Sequence, residues 1–262
     1  MRPKKNRFII GFLSLTILGA LMSCAANKAP LQIENSLSPD ELAFYSNDFD
    51  QMREDQWDRA GYLYRKEQVQ NFKQAAMHFD SGKLIIQTKT GSFSKGGFSS
   101  RYALRGDFDI QLDFQMAFMK GIYGMDQLFS LAVFDKSLKK GKINNVSINL
   151  SMSEGWNPGY LYSNCHINGQ RREGNYQRIE SFIGTFRILR KGKNISTLYK
   201  IKGTSEWKRL NTFRVTDADM IIGFQVRNFF SDRTTIRAEH EISAEFDSLK
   251  INAAQQIIED DI

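Results

Sequence analysis

The chain has 262 residues, of which 41% are hydrophobic and 25% are charged. These values lie in the range of ordinary globular proteins and exclude a disordered, collagen-like or disulfide-scaffold chain. The formal net charge is +7, but four of the basic residues lie in the first seven positions and the other basic residues are scattered. A nucleic-acid binder concentrates them in a stripe, so we expect no nucleic-acid partner.

Residues 1–23 are predicted to be an export signal. Four basic residues precede an uncharged apolar run from Phe8 to Met22, which is too short for a convincing membrane span. The run ends in Leu21-Met22-Ser23-Cys24, which resembles the lipobox of bacterial lipoproteins. In that family the cysteine is acylated and becomes the new N-terminus, and several acyl chains anchor a protein stably. The alternative is a plain secretory signal in which Cys24 has no role.

The lipobox resemblance implies lipidation of Cys24 and a location in the bacterial cell envelope. No Asp follows Cys24, which favours the outer membrane by resemblance to enterobacterial sorting. With Cys24 lipidated, Cys165 is the only thiol left. An intramolecular disulfide is therefore excluded, and the core must hold the fold together.

The rest of the chain is predicted to form a tether, one domain and a short tail. Residues 24–45 contain two prolines and no sustained period, with one helical turn expected to start at Ser38-Pro39-Asp40-Glu41. We expect the domain over residues 46–253 and the tail over residues 254–262. Residues 118–145, rich in Gly, Lys and Met, are expected to include a long loop.

Within the domain, apolar residues recur with a period of two, which is typical of antiparallel strands with one buried face. The clearest alternations are Leu84 and Ile86; Phe108, Ile110, Leu112 and Phe114; and Val146, Ile148, Leu150 and Met152. Later strands are predicted at 185–190, 195–201, 220–226 and 240–251, with turns at 191–194 and at Asn168-Gly169. Many short strands and few helical periods predict an all-β sandwich of two packed antiparallel sheets.

From about Asp48 to Asn252 the order of strands and marker residues is similar to the concanavalin A-like lectin and glucanase superfamily. The resemblance rests on several short motifs. They are Asn47-Asp48-Phe49-Asp50, Phe79-Asp80-Ser81-Gly82-Lys83-Leu84, Ser99 to Asp109, Phe186-Arg187-Ile188, Trp207-Lys208-Arg209-Leu210 and Ala244 to Ile251. It implies a jelly-roll β-sandwich of two curved sheets. Such folds carry lectins, hydrolases and passive modules alike, so the fold alone does not give the function.

Glucanases of that superfamily carry Glu-x-Asp-x-(x)-Glu on one strand, and this sequence lacks the pattern. The nearest approach is Glu239, Glu241 and Glu245, which share strand parity. Side chains at i and i+2 lie roughly 6.6 Å apart along a strand, near the separation of roughly 5 to 9 Å that glycosidases use. The alternative is an exposed acidic face on the last strand, where charges also discourage edge pairing.

A binding face is predicted on the strand after Gly159. Leu161, Cys165 and Ile167 mark its buried side, which places a set of polar and aromatic residues on the other side. If this strand forms a hairpin with the preceding one, the alternate residues Asn145 to Ser151 join that face. Tyrosine rings can stack on sugars, and amides and hydroxyls match sugar hydroxyl groups. The candidate ligand-binding residues are Asn149, Trp156, Tyr160, Tyr162, Asn164 and His166. The alternative is an ordinary sheet surface.

Metal and nucleophile motifs are missing from the sequence: there is no HExxH, no CxxC and no Gly-x-Ser-x-Gly. We expect no cofactor. Relatives of the resembled fold often hold a calcium where the ends of the chain meet, and the resemblance allows a structural calcium at Asp48, Asp50 and Asp247, with carbonyls as the remaining ligands.

These patterns together predict an envelope lipoprotein whose β-sandwich binds a glycan or related envelope ligand without cutting it. One rival is a glycan-active hydrolase that uses Glu241 and Glu245. The other is a scaffold lipoprotein that contacts envelope proteins.

Overall fold

The computed structural model describes residues 33–34, 36–59, 73–91, 93–118, 125–137, 144–153, 159–180, 183–230 and 240–259. The signal segment, Cys24, Trp156 and Glu239 lie outside the described residues. The elements begin with α1 (Pro39–Tyr45), β1 (Trp57–Asp58), β2 (Lys73–Gln74), β3 (Ala76–Asp80), β4 (Lys83–Gln87), β5 (Ser94–Ala117), β6 (Met125–Asp135) and β7 (Asn145–Ser153). They continue with β8 (Gly159–Ile167), β9 (Gln170–Ile179), β10 (Ile183–Lys191), β11 (Asn194–Ile201), β12 (Lys208–Arg214), β13 (Met220–Phe230) and β14 (Ser243–Glu259).

The strands form one hydrogen-bonded sheet that doubles over into two layers, because the long strand β5 belongs to both. Its first half pairs with β13, and the order continues β13-β6-β7-β8-β9. We call this layer the front sheet. The second half of β5 lies between β10 and β14, giving the order β12-β11-β10-β5-β14-β4-β3 of the back sheet. All of these pairings are antiparallel, so the all-β sandwich is confirmed.

Aromatic side chains fill the space between the two layers. The ring of Phe129 on β6 stacks on that of Phe186 on β10, with centroids 5.0 Å apart. Phe224 on β13 lies 5.1 Å from Phe246 on β14 by the same measure. These contacts join front strands to back strands, so they fix the sandwich in the absence of a disulfide.

The predicted alternations are confirmed on their core side. The apolar residues of the three clearest patterns are all buried, as are Leu161 and Cys165. The turn at Asn168-Gly169 is also present, with both residues at positive φ (52° and 80°), which suits a tight hairpin between β8 and β9.

Polar side chains on β5 and β7 are buried, although the alternation predicts that they face water. Asp109 alternates with the apolar residues of β5, which predicts that it faces water. It is instead fully buried, and the guanidinium of Arg187 on β10 donates two hydrogen bonds to its carboxylate. The alternate residues Asn145 to Ser151 of β7 are buried too, although they point away from the core.

The boundaries of the domain also differ from the prediction. Residues predicted as tether contain α1, which starts with a capping box in which Ser38 and Glu41 bond each other's backbone N–H. The helix packs on β14, where its Leu42 contacts the core. Strand β14 continues to Glu259, so most of the predicted tail belongs to the sheet. None of the described segments forms a helix long and apolar enough to cross a bilayer.

The stretch 118–145, predicted to include a long loop, contains β6, a central strand of the front sheet. Strand β6 is apolar on both faces, since Leu128, Phe129, Leu131 and Ala132 are all buried. A strand that is buried on both sides shows no alternation of apolar and polar residues, so the sequence pattern does not indicate β6.

Candidate functional site

The predicted hairpin between β7 and β8 is present and brings the candidate binding residues together. Asn149 is the direct cross-strand partner of Tyr162, Ser147 that of Asn164, and Asn145 that of His166. Direct partners share a face of a sheet. Five of the six candidate residues therefore lie on one face of the front sheet, on the side away from the core, which we call the front face.

Cross-strand partners on the front face form three rows that run across β5, β13, β6, β7, β8 and β9. The tyrosine row is Gly97, Gln225, Ser130, Asn149, Tyr162 and Tyr176. The basic row is Lys95, Arg227, Leu128, Ser151, Tyr160 and Arg178. The amide row is Ser99, Gly223, Ala132, Ser147, Asn164 and Glu173. With neighbouring strands about 4.8 Å apart, each row spans roughly 24 Å.

The tyrosine row offers a flat apolar surface at one end. The rings of Tyr162 and Tyr176 stack with centroids 5.2 Å apart and an interplanar angle of 18°. Tyr176 is 43% exposed, so part of this aromatic surface is open to a ligand. At the other end of the row, Gly97 lies so close to β13 that a Cβ there would meet the Phe224 carbonyl oxygen at 2.0 Å.

Gln225, next to Gly97, carries a buried side-chain acceptor. It is only 4% exposed, and its Oε1 accepts no hydrogen bond from any residue that the structure describes. A buried carbonyl left unpaired costs free energy, on the order of 1–3 kcal/mol. The position of Gln225 between Ser130 and Gly97 directs this acceptor to the side of the sheet away from the core.

Amide and hydroxyl side chains bond one another on the β7–β8 hairpin. The Ser147 hydroxyl donates to Asn164 Oδ1 (2.9 Å), and Asn149 Nδ2 donates to the Ser147 oxygen (3.0 Å). His166 Nδ1 lies 2.9 Å from Asn145 Oδ1. Burial, helped by the charge of Arg171, lowers the pKa of His166. These bonds hold the amides in fixed orientations, as a recognition surface requires.

The basic row carries positive charge at both ends. Arg178 lies over the ring of Tyr160, 6.0 Å from its centroid, on the exposed edge strand β9. Lys95 and Arg227 are direct partners at the other end. Burial, followed by the charge of Arg227, lowers the pKa of Lys95 to about 7.

The predicted catalytic alternatives lie in a different place. Strand β14 belongs to the back sheet and is an interior strand, paired with both β4 and β5, so its charges do not lie on a sheet edge. Glu245 forms an ion pair with Lys83 at 2.9 Å, and Glu241 accepts a hydrogen bond from Gln87 at 2.6 Å. Glu241 precedes the strand. Both carboxylates are thus held by β4, away from the front face.

The three aspartates named for calcium are exposed, and Asp247 lies 3.7 Å from the ammonium group of Lys83. In the portion of the chain covered by the structure, no group of three or more His, Cys, Asp or Glu side chains could hold a metal ion.

Several front-face residues were not predicted from the sequence. Tyr176 and Arg178 lie on β9, whose residues are nearly all exposed and therefore show no alternation of apolar residues. Gln225 lies on β13, which was predicted, but its alignment with Asn149 depends on the pairing of β13 with β6, which joins distant parts of the chain, and on the pairing of β6 with β7.

A family model described as "Protein of unknown function (DUF1583) C domain" matches residues 43–258. No curated protein matches the chain. Among solved structures, the chain is similar to a Bacillus licheniformis β-glucanase with a TM-score of 0.60 and 13% identity over 84% of this chain and 99% of that one. This structural similarity confirms the concanavalin A-like jelly-roll fold that the sequence motifs predict.

Two further structural neighbours are a carrageenase and a module of a phage protein. A κ-carrageenase from Pseudoalteromonas carrageenovora, in complex with an oligotetrasaccharide of κ-carrageenan, has a TM-score of 0.52 and 11% identity over 86% of this chain and 98% of that one. The CBM2 module of the evolved Dit of Lactobacillus casei BL23 phage J-1 has a TM-score of 0.54 and 13% identity over 79% and 95%. At such identities the similarity establishes the fold alone.

Proposed function

We propose that this chain, which belongs to the DUF1583 C-domain family, binds a glycan on its front face without cleaving it. We propose further that it does so as a lipoprotein of the bacterial cell envelope, anchored through Cys24. The names of several structural neighbours concern glycans, which supports a glycan as the ligand class.

The tyrosine row is the observation that carries the proposal. It combines a stacked pair of tyrosine rings with amide and hydroxyl groups and with the Oε1 of Gln225, for which the described part of the chain supplies no donor. A sugar has an apolar ring face that packs on an aromatic ring, and its hydroxyl groups both donate and accept hydrogen bonds. A sugar hydroxyl can donate a hydrogen bond to this oxygen.

The residue types of the front face support binding without hydrolysis. Glycosidases require two carboxyl groups beside the scissile bond. On β7 the front-face positions from Asn145 to Ser151 carry only neutral side chains. Among the described front-face side chains of β7, β8 and β9, Glu173 is the only carboxylate, and Arg171 pairs with it at 3.1 Å.

Binding is tested by replacing the aromatic surface. The full-length chain is screened against an array of oligosaccharides, and the best ligand is titrated into the wild type and into Tyr162→Ala and Tyr176→Ala. We expect each variant to lose about tenfold or more in affinity, since ring stacking is removed while the core is unchanged. Phe44→Ala is the matched control, because Phe44 is an exposed aromatic away from the front face (52%).

Two results would contradict the proposal. If no oligosaccharide binds and an envelope protein is captured instead, the chain is a scaffold. If reducing ends appear and their release stops in Glu241→Gln, the chain is a hydrolase.

The anchor is tested separately by labelling cells with a fatty acid. We expect the wild type to carry the label and Cys24→Ser to lose it. Label that persists on the Cys24→Ser protein would exclude lipidation at this residue.

A further inference from the structure

We propose that a cleft on the outer face of the back sheet binds a single neutral sugar unit. It is a second ligand site, on the side of the sandwich opposite the front face. The cleft has a volume of about 400 Å³, at the small end of the roughly 300–1,000 Å³ that ligand pockets measure. We call it the back cleft. Its floor includes Asp113, Thr185 and Lys200, and its walls include Lys83, Asp247 and residues 202–204.

The floor of the back cleft is a row of cross-strand partners. The row consists of Lys200 on β11, Thr185 on β10, Asp113 on β5 and Ser248 on β14. Direct partners share a face of a sheet, and Asp113 alternates with core residues of β5, so the row faces away from the core. Two strand spacings, roughly 10 Å, separate Asp113 from Lys200. One sugar ring with its hydroxyl groups can bridge a carboxylate and an ammonium group placed in this way.

Asp113 is a hydrogen-bond acceptor that is held in position. The hydroxyl of Thr185 donates to its Oδ1, and the hydroxyl of Ser248 donates to its Oδ2 at 3.0 Å. A carboxylate has about four acceptor sites, so sites remain on both oxygens after these two bonds. Two neighbouring hydroxyl groups of a sugar are donors of the kind that such a fixed carboxylate can accept.

Lys200 supplies donors at the other end of the floor. Its ammonium group lies 5.0 Å from the centroid of the Trp207 ring and forms no ion pair with a carboxylate of the described residues. Contact with an aromatic ring leaves N–H groups of the ammonium free to donate to a ligand oxygen. Lys83, in the opposite wall, differs because Glu245 (2.9 Å) and Asp247 (3.7 Å) already neutralise it.

The arrangement of charges favours a neutral ligand with many hydroxyl groups. An anion would be repelled by Asp113, and a cation would be repelled by Lys200. A sugar hydroxyl both donates and accepts, so one sugar can satisfy both ends of the floor. Ile183, two residues before Thr185 on the same face, is half-buried and adds an apolar contact for the C–H groups of a sugar ring.

The test uses the full-length chain labelled with ¹⁵N and titrated with the methyl glycosides of glucose, galactose and mannose. The backbone amide signals of Thr185 and Lys200 report on the back cleft, and that of Tyr162 reports on the front face. We expect at least one glycoside to shift the Thr185 and Lys200 signals in a saturable manner. Tyr162→Ala should leave the affinity read at Thr185 within about twofold, because Tyr162 lies in the other sheet.

Asp113→Asn and Lys200→Met test the two ends of the floor. Each should weaken the binding read at Thr185 about tenfold, because a hydrogen bond to a charged group is lost. Lys250→Met is the matched control, since Lys250 is an exposed lysine on the same face, outside the back cleft. It should change the affinity by less than about twofold. A thermal melt checks that each variant folds.

The outcomes separate the back cleft from the front face. If none of the three glycosides shifts the Thr185 and Lys200 signals, the inference is wrong. It is also wrong if Lys200→Met binds as tightly as Lys250→Met, or if Tyr162→Ala abolishes the response at Thr185. In each case the front-face proposal is judged by its own tyrosine variants. Weaker binding in Lys200→Met alone supports the back cleft even if Asp113→Asn does not fold.

Discussion

Phe129 and Phe186 lie face to face across the sandwich, with an interplanar angle of only 3°. One ring belongs to the front sheet and the other to the back sheet, so this pair is a direct link between the layers. Phe114 and Phe246 also contact Phe129, at centroid distances of 4.8 and 5.3 Å. Phe129 is therefore the centre of an aromatic cluster in the core.

Truncating Phe129 to alanine should lower the free energy of unfolding by about 3–5 kcal/mol, since it leaves a cavity among the three rings of Phe114, Phe186 and Phe246. Urea denaturation gives the measurement. Phe44→Ala serves as the comparison, because Phe44 is largely exposed and should cost less than about 1 kcal/mol. Similar losses in the two variants would contradict the assignment of the core.

The buried ion pair of the back sheet gives a second prediction. Asp109→Asn removes the charge that compensates Arg187 and should cost about 3–5 kcal/mol. Asp58→Asn breaks the partly exposed pair with Arg101 and should change stability by less than about 1 kcal/mol. Chemical denaturation of both variants provides the check. A loss of less than about 1 kcal/mol in the free energy of unfolding for Asp109→Asn would contradict the burial of this ion pair.

Strand β5 illustrates which features of the fold can be predicted from the sequence and which cannot. The inward positions of β5, β7 and β8 were predicted correctly, because one side of each strand is uniformly apolar. The burial of Asp109 could not be predicted, since it depends on Arg187, which lies 78 positions further along the chain.

The front face was predicted only in part for a similar reason. Asn149 and Tyr162 lie on neighbouring strands of a hairpin, so their pairing follows from local sequence. The alignment of Asn149 with Gln225 passes through β6, whose apolar faces hide its period. The sequence does not indicate strand β9, because an exposed edge strand needs no side made of apolar residues.

The lowered pKa of Lys95 predicts a pH dependence of stability. In the folded protein the pKa is about 7, whereas the ordinary value is 10.5. Between these values the unfolded chain binds more protons than the folded one, so the free energy of unfolding rises with pH. The free energy of unfolding rises by at most about 1.4 kcal/mol per pH unit above pH 7. This added stability is lost as the pH falls through 7.

Lys95→Met removes the titrating group and should flatten this rise. Urea denaturation of wild type and variant at pH 7, 8 and 9 measures the difference in slope. Parallel curves for the two proteins would mean that Lys95 keeps an ordinary pKa.

Gln225→Met should have opposite effects on stability and on binding. Removing the unpartnered Oε1 should raise the free energy of unfolding by about 1 kcal/mol. The affinity for the glycan should fall, because a hydrogen-bond acceptor is lost. Thermal denaturation and titration of the same preparation give both values.

The control for this change is Gln177→Met. Gln177 Oε1 accepts a hydrogen bond from the hydroxyl of Tyr199, which is largely buried. The same substitution should therefore destabilise the protein there, because it leaves the hydroxyl without its acceptor. If Gln225→Met is also destabilising, the idea of an unmet acceptor on the front face fails.

Strand β5 lies inside both layers, and its partners β10, β13 and β14 all come later in the chain. Ser99, for example, pairs with Gly223, and Tyr102 with Glu259. During synthesis the front sheet cannot be completed before β13 has been made, and the back sheet cannot be completed before β14 has been made. Closure of the core therefore waits until β14 has been made, and the second half of β5 stays without its partner on one side until then.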